Sequence, residues 1–211
     1  MAKEVLLQEI AQARERLREL EAELSRQAGP MGSRPKQYTT YDVLAGCTLG
    51  MFGAIASLLF NIVGATLVGK PPLYLISVYL TFPLGAQVLD PSVLSPDKGI
   101  ARLVLAVGCC LYLFTGMALG VPIHLVLKRW FGTSSAIVRF MAVTVLSLVI
   151  WIVNFYLLLA WLQPALVGGN WIVNEVPWWV AAATHLVFGW TVWLAQPLGI
   201  FQPAPDAAEA A

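Results

Sequence analysis

The sequence predicts an all-α membrane protein, a four-helix transmembrane bundle with a short re-entrant or interfacial helix and an N-terminal amphipathic, coiled-coil-like cytoplasmic helix. Hydrophobic residues make up 58% of the 211 residues, and the mean hydropathy of the chain is +0.73. The few charged residues cluster outside long apolar stretches, as expected where lipid cannot solvate charge.

Four stretches are long enough to cross a hydrocarbon core of about 30 Å, which needs about 20 helical residues. They are Val43 to Val68, Ala101 to Leu127, Ala136 to Leu162 and Pro177 to Ile200. A fifth apolar segment, Leu73 to Leu89, contains Pro83 and has only about 17 residues, which is short for a complete span. We therefore predict that this segment is a re-entrant or interfacial helix against the bundle.

The chain divides into four parts. Residues 1–28 are predicted to form the cytoplasmic helix, and residues 29–42 form a linker, because the prolines and glycines of Gly29 to Pro35 cannot continue a helix. Residues 43–200 form the transmembrane domain, and residues 201–211 form a flexible tail.

The distribution of basic residues predicts the orientation of the bundle. If Leu73 to Leu89 does not cross, the Lys and Arg residues near span ends are in excess on the side of both termini. Cytoplasmic loops carry such an excess, so both termini are expected in the cytoplasm. The charged N-terminus does not resemble a signal peptide, so Val43 to Val68 is expected to act as an uncleaved anchor.

The N-terminal helix carries an apolar seam. Residues 2–27 contain neither Gly nor Pro, and their apolar residues recur at steps of three and four, the spacing of a coiled coil. The seam consists of Leu6, Ile10, Ala13, Leu17, Leu20 and Leu24. A copy of the same helix or a helix of another membrane subunit is expected to cover it, since the mixed charges and the lack of Trp and Phe disfavour a membrane surface. A solvated helix without a partner is the alternative.

Small residues and amides predict where the spans contact one another. Two GxxxG motifs and an alanine one turn further on the first span allow close approach of helices, and amides inside spans find partners on neighbouring helices. The predicted contact residues are Gly46, Gly50, Ala54, Gly116, Gly120, Asn61 and Asn154. The contacts are expected within the bundle or between copies.

Two histidines, His124 and His185, lie inside predicted spans, where ionisable groups are costly and often functional. A haem b held by both is one hypothesis. Their predicted depths differ by about 12 Å at a helical rise of 1.5 Å per residue, which disfavours a haem standing upright between them. Neutral, hydrogen-bonded imidazoles without a cofactor are the expectation, and a proton path or a quinone contact at His185, the deeper of the two, stays open.

Several classes of function are disfavoured. The middle of each predicted span lacks Asp, Glu, Lys and Arg, which is not typical of ion-coupled transporters. A small-molecule transporter or channel would have as its polar path only Asn61, Asn154, Thr115, Thr184 and the histidines. No arrangement typical of an enzyme or a metal site is present. The formal net charge of +1 disfavours binding to nucleic acid.

The order of features resembles that of uncharacterised bacterial four-helix integral membrane proteins. The resemblance covers about residues 43–200 and rests on a glycine-rich first span, the short apolar segment Pro72 to Ala86, and the His-Leu-Val triplets at His124 and His185. It implies a location in the bacterial inner membrane and no defined activity.

Together these features predict a non-catalytic accessory or assembly subunit of a larger membrane complex, such as a respiratory or other electron-transfer complex. It is expected to work through helix contacts and to be surrounded by membrane lipids. The alternatives are a haem- or quinone-binding redox subunit that uses His185 and His124, and a small-molecule transporter or channel.

Overall fold

The computed structural model describes residue 12 and residues 14–20, 36–90 and 99–199. Within these ranges every regular element is a helix, so the predicted all-α fold is confirmed. The helices are α1 (Lys36–Leu67), α2 (Tyr74–Leu84), α3 (Gly99–Phe131), α4 (Ala136–Ile152), α5 (Ala160–Val167), α6 (Trp171–Glu175) and α7 (Trp178–Ala195). The 3₁₀ turns Ala86–Leu89 and Gln196–Gly199 follow α2 and α7.

Four helical stretches are long and apolar enough to cross a membrane, which is the organisation of an integral membrane protein. They are Thr39–Leu67, Ala101–Phe131, Ala136–Val167 and Trp178–Gly199. The third stretch joins α4 and α5 through the π-helical segment Val153–Leu159. Large apolar side chains on the outer faces of the bundle remain exposed, for example Phe114 and Leu194, as expected for surfaces that face lipid.

The helix α2 is too short to span. Its 11 residues extend about 16 Å, roughly half of the hydrocarbon thickness. It packs against α3 at Gly108. The side chains of Ile76 and Leu80 lie so close to this glycine that a Cβ there would collide with them. The hydroxyls of Tyr79 on α2 and Thr115 on α3 lie 2.6 Å apart. These contacts lie well inside the α3 span, which fits a re-entrant helix better than one on the membrane surface.

Two helix pairs form the core of the bundle. The first is α1 with α3, whose backbones meet at glycines. The second is α4 with α7, where a Cβ at Gly189 would overlap the Ser147 hydroxyl. In the same interface the indole of Trp190 donates a 2.9 Å hydrogen bond to Thr144.

The two ends of the bundle differ in composition. The charged end contains the ion pair between Lys128 and Asp42 and the hydrogen bond from Arg139 to Gln196. The tryptophan end consists of Trp161, Trp171, Trp178 and Trp179, three of which are more than half exposed.

By its contacts the chain forms two units, Met1–Thr39 and Thr40–Ala211. In the first unit residues 14–20 are helical and exposed. They include Leu17 and Leu20 of the predicted seam. The other seam residues, Leu6, Ile10, Ala13 and Leu24, lie outside the described residues.

Candidate ligand-binding cavity

A cavity of about 360 Å³ lies inside the second unit, within the size range of small-molecule sites. Its walls come from α1, α2, α3, the π-helical segment, α5, α6 and α7, and they are mostly apolar. The polar side chains on the walls are Ser57, Tyr79, Tyr112, Thr115, Asn154, Thr184 and His185. None of the described residues that line the cavity carries a formal charge.

The cavity opens where the close contact of α1 and α3 ends. A Cβ at Gly50 would lie 2.8 Å from the Gly120 Cα, so the two backbones touch there. Two turns along α1, Ser57 hydrogen-bonds the hydroxyl of Tyr112 at 2.9 Å, so a whole phenol ring spans the gap between the helices. Small side chains at one level and a long one at the next therefore spread the two helices into a wedge.

The π-helical segment forms a second wall. Its residues Asn154, Phe155, Leu158 and Leu159 all line the cavity. A π-helix adds a residue to the turn and is frequent at functional sites. The amide of Asn154 is half-buried on this wall, and no hydrogen bond of its side chain occurs among the described residues.

Most hydroxyl groups on the walls already have partners within the bundle. Ser57 pairs with Tyr112, Tyr79 pairs with Thr115, and Thr184 donates to Asn61 Oδ1 at 3.1 Å. These groups hold the walls together, and their partners are protein atoms.

His185 differs from these residues because one side of its ring remains free. Its Nδ1 lies 2.8 Å from the Ala181 carbonyl oxygen. A carbonyl can only accept, so Nδ1 carries the proton, and in a neutral ring Nε2 is then an acceptor. The ring lines the cavity, and among the described residues no group donates to Nε2.

A second cavity of about 280 Å³ adjoins the first at the tryptophan end. Leu75 and Val176 line both cavities. The rim of the second cavity contains Lys70, Tyr74 and Glu175, with the Lys70 ammonium 4.7 Å from the centre of the Tyr74 ring. Partial burial and the 2.7 Å hydrogen bond to Glu175 raise the pKa of Tyr74 to about 12. The larger, apolar cavity is therefore next to a smaller cavity that has charged and polar side chains and lies nearer the tryptophan end.

The structure does not bring the two histidines together. His124 is fully buried and does not line either cavity. It packs near the charged end, where a Cβ at Gly199 would meet both His124 and Leu49. Its ring nitrogens have no hydrogen-bond partner among the described residues. His185 lines the larger cavity, so the two imidazoles share neither of these cavities.

The glycine motifs of α1 and α3 meet each other inside the bundle. A Cβ at Gly46 would lie 2.7 Å from the Val121 Cα, and one at Gly116 would overlap Ala54. Only glycine permits backbones this close. Of the two predicted amides, Asn61 lies between the two cavities and accepts from Thr184, whereas Asn154 faces the larger cavity.

A buried glutamine that the sequence analysis missed connects three helices of the cavity wall by hydrogen bonds. Gln163 on α5 is fully buried. It donates to the Thr81 hydroxyl at 2.9 Å and accepts from the Ile172 amide at 3.0 Å. One side chain thus ties α5 to α2 and α6. The predicted span Ala136 to Leu162 ends just before this residue, so the apolar pattern gave no sign of its role.

Comparisons with known proteins leave the chain without a match. No family model, no curated protein and no solved structure matches it. Within the described part of the chain no group of three or more His, Cys, Asp and Glu residues is placed to hold a metal ion. The cavity geometry is therefore the basis for a functional proposal.

Proposed function

We propose that this protein is a non-catalytic membrane subunit that binds one neutral, apolar small molecule in the larger cavity. The single observation that carries this proposal is the cavity itself, which combines apolar walls with two hydrogen-bonding side chains, His185 and Asn154, that have unused capacity. Apolar walls with a few placed polar groups are typical of small-molecule sites.

The composition of the walls supports a neutral ligand. A charged ligand in an apolar site needs an opposite charge to offset its desolvation, and the described lining residues provide none. Leu158, which is 42% exposed on the outer face of the bundle, also lines the cavity. The wall at Leu158 is therefore the side on which we propose that a molecule dissolved in the bilayer enters.

Binding of para-hexylphenol to the protein in lipid nanodiscs tests this proposal. Leu119 lines the cavity and is half-buried, whereas Leu194 faces outward and is 69% exposed. We expect Leu119→Trp to fill the cavity and abolish saturable binding, and the matched Leu194→Trp to leave it unchanged. Equal, non-saturable uptake by the wild type and both variants would mean partition into lipid, and the proposal would be wrong.

A second function, contact with another membrane subunit, is supported by the N-terminal unit. Leu17 and Leu20 lie three residues apart on one helical segment and are 60% and 55% exposed. Apolar residues at this spacing stabilise a helix only when another helix covers them. The covering helix belongs to another membrane subunit or to a second copy.

Polar substitution of the seam tests that contact. We expect the double variant Leu17→Asn, Leu20→Asn to reduce the native mass of the mildly solubilised protein, and the control Arg16→Asn, Glu19→Asn to keep it. Identical native masses for wild type and both double variants would argue against an interaction through this helix.

The orientation that fits this proposal has both termini in the cytoplasm of a bacterial cell. The charged end carries Lys128, Arg129 and Arg139, whereas the opposite end carries Lys70 and Arg102, and an excess of Lys and Arg is typical of cytoplasmic loops. Labelling of single cysteines at Thr133 and Asn174 with an impermeant maleimide in intact cells tests it. Labelling at position 174 alone is expected, and labelling at position 133 alone would reverse the orientation.

A further inference from the structure

We infer that the ligand carries a hydroxyl head that donates a hydrogen bond to Nε2 of His185. This inference rests on the proposed function and narrows its ligand class to neutral alcohols, phenols and quinols with an apolar body. Ketones, quinones, ethers and esters have only acceptor atoms in the head, and the inference makes them poorer ligands.

The tautomer of His185 leads to this class. The Ala181 carbonyl fixes the proton on Nδ1, because a carbonyl oxygen accepts and never donates. The ring is neutral, since no carboxylate lines the cavity. A neutral ring of this tautomer carries a lone pair on Nε2, which only a hydrogen-bond donor can satisfy, and the ring lines the cavity.

The hydroxyl donors on the cavity walls are already committed within the bundle. Ser57 and Thr115 donate to the carbonyls one turn earlier on their own helices, which leaves Tyr112 and Tyr79 to donate to Ser57 and Thr115. The Thr184 hydroxyl lies within hydrogen-bond distance of the Val180 carbonyl and of Asn61 Oδ1. An acceptor that faces an apolar cavity without a partner is costly. A ligand hydroxyl removes that cost at His185, while an ether or ketone of the same shape leaves it in place.

The amide of Asn154 completes the recognition of a hydroxyl. Its NH₂ group donates and its oxygen accepts, and it lines the same cavity. A hydroxyl that donates its hydrogen bond to His185 can still accept one at its oxygen, so an amide N–H is a suitable second contact for the same head. A head of this kind uses both side chains that lack protein partners.

A matched pair of probes tests the inference, para-hexylphenol and its methyl ether para-hexylanisole. For the wild type we expect the phenol to bind about tenfold more tightly than the ether after correction for lipid partition, which corresponds to about 1.4 kcal/mol for one hydrogen bond. We expect this preference to vanish in His185→Phe and to be partly restored in His185→Gln, whose side-chain oxygen also accepts.

Labelling with ¹⁵N-histidine provides a second measurement that needs no variant. The chain contains two histidines, so His124 is a built-in control away from both cavities. The phenol is expected to shift the Nε2 resonance of His185 and not those of His124, and the ether is expected to shift neither.

The outcomes separate this inference from the proposed function. Saturable binding of both probes with equal affinity, lost in Leu119→Trp, would retain the cavity as a site and overturn the hydroxyl preference. Absence of saturable binding for either probe would overturn the proposed function and the inference with it. A phenol preference that persists unchanged in a folded His185→Phe variant would also contradict the role of His185.

Discussion

The helices α1 and α3 meet in two very different ways along their length. Around Gly50 and Gly120 their backbones are in contact, whereas around Ser57 and Tyr112 a phenol ring separates them and a cavity opens beside it. The difference indicates that side-chain volume decides where α1 and α3 touch and where a cavity lies beside them.

Substitution of a glycine in the contact between α1 and α3 should reduce the stability of the protein the most. Gly50→Leu places its Cβ against the carbonyl of Gly116 and the backbone of Gly120, and overpacking of this kind costs about 3 kcal/mol when backbones must separate. Unfolding in mixed micelles measures this loss.

The matched control for that variant is Gly64→Leu on the same helix. A Cβ added at Gly64 would have no heavy atom of another residue within 4 Å. We therefore expect the Gly64→Leu variant to have a stability close to that of the wild type. Similar losses for Gly50→Leu and Gly64→Leu would show that the glycine contact has no special role.

On the cavity side, Gln163 should be the most sensitive single side chain. Gln163→Leu leaves the Ile172 amide without its acceptor and removes the hydrogen bond that the Thr81 hydroxyl accepts, at an expected cost of about 2 kcal/mol. Hydrogen exchange should show faster exchange of the α6 amides and unchanged protection near Gly50. Gln87→Leu is the control, because Gln87 is exposed, and uniform destabilisation across the bundle would contradict the local role.

The hydroxyl pair at the mouth of the wedge should contribute less. Tyr112→Phe removes the 2.9 Å hydrogen bond to Ser57 and keeps the ring that spans the gap, so we expect a loss of about 1 kcal/mol with ligand binding retained. Tyr156→Phe on an exposed tyrosine serves as the control. Loss of ligand binding in Tyr112→Phe, with stability unchanged, would mean that the hydroxyl contacts the ligand directly.

The smallest expected effect concerns the rim of the second cavity. Glu175→Gln removes the carboxylate that accepts from Tyr74, so the pKa of Tyr74 should fall from about 12 and stay above 10.0, because partial burial is the larger cause of the shift. Tyrosinate absorbance, with a Tyr74→Phe sample subtracted, follows this titration. An unchanged pKa would show that Glu175 has no part in the shift.

The sequence was sufficient to predict the fold because its signals are local. Apolar runs long enough to span the membrane located the four spans, and the length of Leu73 to Leu89 with Pro83 indicated a segment that does not cross. The structure starts α1 at Lys36, within the predicted linker of residues 29–42. Helix boundaries of this kind depend on the surroundings more than on the apolar pattern.

The cavity was harder to predict, since it depends on how distant residues meet. Asn154, Thr115, Thr184 and His185 were recognised as polar residues in apolar surroundings, and they line one cavity. The pairing of Ser57 with Tyr112 joins residues 55 positions apart, and no spacing rule finds such a pair. The π-helical turn that presents Asn154 has no sequence signature either.

Photolabelling tests the central claim most directly. The probe is a para-alkylphenol with a diazirine on its alkyl chain, added to the protein in nanodiscs, and the adducts are mapped by mass spectrometry. We expect adducts on cavity residues such as Leu119, Phe155 and Phe188, and we expect unlabelled para-hexylphenol to displace them. Adducts confined to outward residues such as Phe114 and Leu194, without displacement, would contradict a ligand site inside the bundle.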